Sequence, residues 1–207
     1  MDDPKKILIM SGTPASGKDT LTALLESMSC GKCVLFKKHK MVTNIIDAVQ
    51  DPRNTVYHLV DEATFHQMIV EKQFLQYHNR YGNGYGIAWS TLEKHWQAGQ
   101  VPVLHNGKQE NLRVFFREKN ILVFSVLLMA NQDDTKDRIL TRNGGDETDA
   151  EKRLRAYVAE REELAMIIGN GESPYCHLAI NTDWLEPPMT ASIIYSAIEK
   201  FWAARKS

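Results

Sequence analysis

Three cysteines in 207 residues are too few, and odd in number, for a disulfide-stapled secreted scaffold. No apolar run approaches the roughly 20 residues that a membrane-spanning helix requires, so a membrane is not an expected partner. Charge of one sign is missing too. The 25 Lys and Arg against 26 Asp and Glu leave a net charge of −1, without the positive excess of a protein that grips a nucleic acid polymer or an anionic surface. Internal repeats, low-complexity tracts and Pro/Ser linkers are also absent, so one domain over 1–207 is expected. The opening Met1-Asp2-Asp3-Pro4-Lys5-Lys6 runs into a strand-like stretch and lacks the form of a signal peptide. With 43% hydrophobic and 25% charged residues the chain can bury one ordinary core. The expectation is a soluble, cytoplasmic protein.

What is present is alternation. Ile7 to Met10 is a buried-strand run, followed by a glycine loop and a helix from about Lys18 to Ser27. Val34 to Phe36, Val101 to Leu104, Ile121 to Met129 and Leu178 to Ile180 are further strand-like runs. Helical patterns separate them. Ser90-Thr-Leu-Glu93 has the form of a capping box, and Asp134 can cap a helix reaching about Arg142. Apolar stripes mark a helix through Leu154, Tyr157, Val158, Leu164, Ile167 and Ile168 and another over Ile193 to Trp202. Such alternation predicts an α/β fold with a mostly parallel sheet covered on both faces. The stretch 37–89 breaks the rhythm with short polar strands and a Tyr/Gly/Asn-rich turn, and reads as an insert.

The most specific signal is Gly12-Thr13-Pro14-Ala15-Ser16-Gly17-Lys18-Asp19-Thr20, directly after a strand and before a helix. It matches G-x-x-x-x-G-K-[S/T] except at Asp19. Glycines let backbone N–H groups turn inward around phosphate, the helix N-terminus adds its dipole, and Lys18 reaches the transferable group. A carboxylate beside phosphates repels them unless a cation lies between. Asp19 therefore reads as a ligand of the Mg²⁺ that accompanies ATP, directly or through water, with Thr20 adding a hydroxyl; the alternative is a local cap or ion pair.

Beyond the loop, three more segments carry a resemblance. They are Tyr57-His-Leu-Val-Asp-Glu-Ala-Thr-Phe65, Phe74-Leu-Gln-Tyr-His-Asn-Arg-Tyr-Gly-Asn-Gly-Tyr-Gly86, and Arg138-Ile-Leu-Thr-Arg142 with Arg153-Leu154 downstream. Together, and in this order, they resemble the guanylate kinase family of nucleoside monophosphate kinases from about Lys6 to Ala203. The resemblance implies a P-loop NTPase core, a three-layer α/β/α arrangement with a mostly parallel sheet. It further implies an acceptor-binding insert at 37–89 and an arginine-bearing lid at 142–150. Arg138 and Arg142 lie four apart, on one helix face beside Asn143-Gly-Gly145, and Arg153 lies just beyond that hinge. The family's pattern makes Arg142 and Arg153 phosphate clamps and stacks Arg138 on adenine, with Asn181 near the base. Read without the loop, the same arginines would pair with Asp134 and Asp149 on a solvated face.

The acceptor segment departs from the family. A guanine-reading glutamate there corresponds to Gln76, whose amide offers one acceptor and one donor face instead of two acceptors. The hydroxyl residue after the family's Tyr-Gly corresponds to Ile87, and the phosphate-gripping tyrosine to Tyr85. Two acceptor-phosphate arginines lack clean counterparts. Lys37, Lys38 and Lys40, with His39 among them, stand near their place, either as point charges for phosphate or as a solvated basic run. The family's acidic L-D-I-D-x-Q-G becomes Leu104-His105-Asn106-Gly107-Lys108-Gln109, with Asn106 counted among the acceptor contacts. Both this L-x-N-G stretch and the G-K-D loop resemble the bacterial ribose 1,5-bisphosphate kinases.

Other signals are weaker. Cys30-Gly-Lys-Cys33 with Cys176-His177 could supply zinc ligands, but a lone C-x-x-C is usually incidental and the seven histidines lack metal-ligand spacing. Trp89, Trp96, Tyr81 and Tyr85 suit one stacked mononucleotide better than a single-strand platform. The expected function is transfer of the γ-phosphoryl of Mg·ATP to GMP or a related or modified nucleotide. Lys18 and the amides of Thr13 to Thr20 would hold the donor, Lys38, Lys40 and Tyr85 the acceptor phosphate, with Gln76 reading its identity. The alternatives are a sugar phosphate kinase, and an inactive scaffold that binds protein through the former acceptor site. A monomer or homodimer is expected, with ATP and a small phosphorylated acceptor as partners.

Overall fold

The computed structural model describes residues 4–80, 82–106, 109–131, 135, 137–139, 141, 151, 154–155, 157–162 and 175–205. Their contacts divide the chain into two units, Met1–Leu35 with Val103–Ser207, and Phe36–Pro102. The insert read from sequence at 37–89 falls within the second.

In the first unit, the apolar run Ile7–Met10 is wholly buried at the centre of β1 (Lys5–Gly12). A strand hidden on both faces has no need of polar alternation. Four more strands join it: β2 (Cys33–Leu35), β7 (Val101–Asn106), β8 (Ile121–Met129) and β9 (Leu178–Asn181), in the order β2-β7-β1-β8-β9. β1 runs parallel to both its neighbours, and β9 is parallel to β8. The fold is thus α/β around a mostly parallel five-stranded sheet. Because these strands share a direction, their carboxyl ends fall on one edge, where ligands bind in open α/β sheets. Gly12 lies beside Leu128, Ser11 beside Asn106, and Met129 beside Asn181. Helix α1 (Lys18–Met28) packs on β1, β2 and the C-terminal helix α5 (Pro187–Ala203), which also meets β8.

The loop before β9 is tied to β8 by His177, whose backbone N–H donates to Ser125 O (2.9 Å) while its Nδ1 accepts from Ser125 N–H (3.1 Å). A backbone amide can only donate, so the imidazole proton sits on Nε2. Its ring stacks between Phe116 and Phe124.

The second unit is built on β3 (Lys38–Met41), β4 (Tyr57–Val60), β5 (Phe74–Arg80) and β6 (Asn83–Ala88), ordered β4-β3-β6-β5. Helix α2 (Ile45–Gln50), capped by Asn44, and a 3-10 turn over Pro52–Asn54 link the parallel pair β3 and β4. Helix α3 (Glu62–Val70), capped by Asp61, contributes Phe65 and Met68 to a cluster with Phe74 and Ala88. That cluster occupies one sheet face, which leaves the opposite face for polar side chains.

Helix α4 (Trp89–Gln97) begins one residue before the capping box read at Ser90, and its N-cap Ala88 offers no side-chain acceptor. The reason is that β6 runs directly into the helix; Trp89 N–H is satisfied by Gln73 O (3.0 Å) instead.

His39, on the face shared with Phe74, carries a titratable group into the sheet. Its ring lies 5.1 Å from that of His58 and 5.8 Å from Phe74. Burial, with His58 and Lys94 adding like charge, pulls its pKa down to about 4, and burial likewise lowers His58. A histidine whose folded pKa lies below its unfolded 6.5 favours folding while neutral. Its contribution is complete above pH 6.5 and is lost as pH falls through about 4. The expected result is a thermal midpoint that drops between pH 6.5 and 4, with His39→Phe retaining about 3 °C or more over the parent at the acid end. Melting curves that fall in parallel for both proteins would show that His39 is not responsible.

Candidate active site

Gly12 is the last residue of β1, and the chain then turns sharply into α1. The helix N-cap is Gly17, in the left-handed conformation at φ 91°. Between them the Lys18 side chain folds back over the loop, its Nζ donating to Gly12 O (2.8 Å), Thr13 O (2.7 Å) and Ser16 Oγ (3.1 Å). The ammonium is thus held at the mouth of the loop, beside the amides of the first helical turn. Ser16 is fully buried, and Ser11 Oγ and Thr13 Oγ1 are buried with no hydrogen-bond partner. Pro14 and Ala15 form the loop's partly exposed crest, with Ala15 at φ 59°. Such a glycine-framed turn, with a lysine and a helix terminus converging on it, is suited to polyphosphate.

Asp19 and Thr20 follow on the exposed first turn of α1. Asp19 Oδ1 lies 3.4 Å from His105 Nδ1, and His105 Nε2 lies 2.7 Å from Thr22 Oγ1. Thr22 Oγ1 in turn reaches Lys18 O at 2.8 Å. His105 and Asn106 end β7. The described residues include no cluster of three or more side chains able to cage a metal. A carboxylate with a neighbouring hydroxyl nevertheless fits Mg²⁺ that is bound mainly by nucleotide phosphates and water.

The end of β9 closes against the same loop. Thr182 Oγ1 approaches Ser16 O at 3.5 Å and donates to Met129 O at 3.1 Å, and Arg138 Nη1 donates to Ala15 O at 3.4 Å. Arg138 Nη2 is 3.9 Å from Asp183 Oδ1, a side chain only 9% exposed that also accepts from Asn131 N–H. Asn181 Oδ1 accepts from Asp183 N–H at 2.9 Å. Arg138 and Asn181, 43 residues apart in sequence (181 − 138), therefore share one rim of the loop. Arg142, Arg153 and the lid at 142–150 lie outside the described residues, as do Asp134, Gly107, Lys108 and Tyr81.

In the second unit, cross-strand register gathers the acceptor candidates. Lys38 pairs with Tyr57, Lys40 with both Leu59 and Tyr85, His78 with Tyr85, and Gln76 with Ile87. Residues directly opposite share a face, so Lys38, Lys40, Tyr85, Gln76 and Ile87 all stand on the face away from Phe65 and Phe74. Lys40 Nζ donates to the buried Asn54 Oδ1 (2.7 Å) and lies 5.5 Å over the Tyr57 ring. Burial lowers its pKa, with Arg53 adding to the fall and Asp51 opposing it. The Tyr85 ring sits between Tyr57 at 5.6 Å and His78 at 5.7 Å, stacked on the latter. Gln76 Nε2 donates to His78 Nδ1 (3.1 Å), which leaves the amide carbonyl as the side chain's acceptor. Ile87 is 2% exposed. Asn106, counted with these five from sequence, belongs to the first unit.

Tyr57, His78, His105 and Asp183 had no assigned role in the sequence. Tyr57 and His78 stand at alternate positions from Leu59 and Gln76, a period-2 signal that becomes readable once strand pairing is known.

No family model matches this chain. Among curated proteins it is 29% identical over 167 residues to the guanylate kinase of Clostridium perfringens, covering 78% of this chain and 71% of that one. It is 26% identical over 185 residues to the guanylate kinase of Fusobacterium nucleatum, covering 86% and 88%. Among solved structures, a guanylate kinase from Anaplasma phagocytophilum superposes with a TM-score of 0.63 at 15% identity, over 96% of this chain and 87% of that chain. At that identity the superposition speaks for the fold. No helix among the described residues is long and apolar enough to cross a membrane.

Proposed function

We propose that this chain, a relative of the guanylate kinases in sequence and in fold, moves the γ-phosphoryl of Mg·ATP to the phosphate of GMP or a close purine analogue. The observation that carries this reading is the Lys18 ammonium drawn over a glycine-framed loop at the carboxyl end of a central parallel strand. Phosphoryl transfer needs no covalent intermediate on the protein. Positioning and compensation of charge on the moving group can supply the catalysis. Lys18 and the loop amides would hold the donor's terminal phosphates, and Arg138 and Asn181 would flank its base. Asp19, with Thr20, would hold Mg²⁺, which when bound would offset charge on the donor's phosphates. Arg142 and Arg153 would add positive charge as the group transfers.

On the second unit, Lys40 and the hydroxyls of Tyr57 and Tyr85 would grip the acceptor phosphate, with Lys38 as a further point charge. The carbonyl of Gln76 would accept from one N–H of the purine edge. Among these face positions there is no carboxylate, which favours a second reading in which the acceptor is a sugar phosphate such as ribose 1,5-bisphosphate.

Gln76→Glu separates the two. A second acceptor oxygen facing guanine's N1–H and N2–H should raise kcat/KM for GMP relative to AMP by roughly tenfold. Unchanged relative rates would mean that Gln76 does not read the base. Activity confined to the sugar phosphate would replace the nucleotide reading with the second one.

A further inference from the structure

The loop residue that breaks the phosphate-binding pattern is the one with a specific partner. Asp19 occupies the position where a hydroxyl is expected, and His105 reaches it across the sheet edge from the end of β7. Proton bookkeeping defines what His105 offers. The single proton of Thr22 Oγ1 has two acceptors in range, Lys18 O at 2.8 Å and His105 Nε2 at 2.7 Å. If the hydroxyl donates to Lys18 O, Nε2–H donates to the hydroxyl. If the hydroxyl donates to Nε2, a neutral ring carries its only proton on Nδ1. In that arrangement the donor nitrogen is Nδ1, which lies 3.4 Å from Asp19 Oδ1.

The side chains are graded in exposure along this line. Thr22 is 3% exposed, the His105 side chain 21% and the Asp19 side chain 58%. A buried hydroxyl therefore braces a half-sheltered ring, which stands beside a carboxylate that is more than half exposed. We propose that His105, braced by Thr22, is a positioning residue that holds Asp19 as a metal-binding oxygen at the mouth of the phosphate loop. The inference rests on the Mg·ATP reading above and extends it to how this chain manages a carboxylate where its relatives' pattern has a hydroxyl.

The test uses the full chain with ADP and Mn²⁺, reading free Mn²⁺ by electron paramagnetic resonance. Metal-free ADP affinity and the thermal midpoint are measured in parallel. Asparagine places its amide N–H near Nδ1 of the replaced ring, and glutamine near Nε2. His105→Asn keeps a donor toward Asp19, whereas His105→Gln keeps only the contact with Thr22. Loss of such an outer partner costs about tenfold or more in metal affinity. The expected result is a roughly tenfold weaker Mn²⁺ affinity for His105→Gln, with His105→Asn within about threefold of the parent. In an Asp19→Asn background His105→Gln should add nothing, because its effect passes through that carboxylate. Metal-free ADP affinity should be unchanged by either His105 substitution in the parent background, whereas Asp19→Asn should raise it by removing a negative charge beside the phosphates. Equal Mn²⁺ affinities for the two His105 variants, or a full effect of His105→Gln without Asp19, overturns the inference. A parent protein that binds no ADP overturns the kinase reading, and this inference with it.

Discussion

Lys18→Ala is expected to cut kcat/KM for phosphoryl transfer by roughly 10²–10³-fold or more, the size of effect that follows loss of one charged donor to a transition state. Gly12 O, Thr13 O and Ser16 Oγ, three acceptors within the loop itself, hold the ammonium. Removing it takes a donor from the carbonyls of the buried Gly12 and Thr13, and the stability cost should be about 1–3 kcal/mol. Activity and folding still separate in this variant: a parent-like circular dichroism spectrum and a melting point lower by about 2–12 °C, with ADP production close to background. Lys18→Arg should rescue little, because a planar guanidinium cannot occupy the same compact three-acceptor position. A Lys18→Ala protein that turns over within about threefold of the parent would remove the donor site from this loop.

Gly12→Ala should do the reverse and damage folding and binding together. A Cβ at Gly12 would lie 2.6 Å from Leu128 O and 2.7 Å from Ser16 Oγ, with φ at +150°. Leu128 cannot retreat, because β8 is paired with β1 through to that position. Ser16 cannot yield without releasing the Lys18 ammonium. Crowding of this kind in a packed core costs roughly 2–4 kcal/mol. For a chain of this size the thermal midpoint should fall by about 5–15 °C. Gly17→Ala is the control. An added Cβ there meets nothing within 4 Å, so only the left-handed backbone at φ +91° is penalised, by about 1–2 kcal/mol. The ordering Gly12→Ala well below Gly17→Ala in melting temperature is the check. Equal midpoints would mean that the β1–β8 junction accommodates the methyl group.

The same residues explain why the loop's local structure was readable in sequence. The strand, the loop and α1 are consecutive in the chain, and their chemistry is local. Expected and observed bounds differ by little, with Ile121–Met129 reproduced as β8. Other features depend on pairing between distant segments. Tyr57 and His78 join Lys40 and Tyr85 only because the strand order is β4-β3-β6-β5, an order that periodicity alone does not give. His105 meets Asp19 because β7 pairs beside β1 in parallel register, and Asp183 meets Arg138 because β9 follows β8 at the sheet's edge. The capping box at Ser90 failed for a related reason. A strand leading straight into a helix satisfies the first amide through Gln73, so the local cap is unnecessary. Gln76 was identifiable as a departure in sequence, whereas its bond to His78 needed the hairpin β5–β6.

The most direct test of the nucleotide kinase reading is the fate of the γ-phosphoryl itself. The purified chain would be incubated with γ-³²P-labelled ATP, Mg²⁺ and GMP, alongside AMP, CMP, UMP, dTMP and ribose 1,5-bisphosphate, and the products separated. Label recovered as GDP, above every other nucleotide and abolished by Lys18→Ala, is the expected outcome. Label that stays in ATP or appears only as inorganic phosphate with all the nucleoside monophosphates present would contradict it.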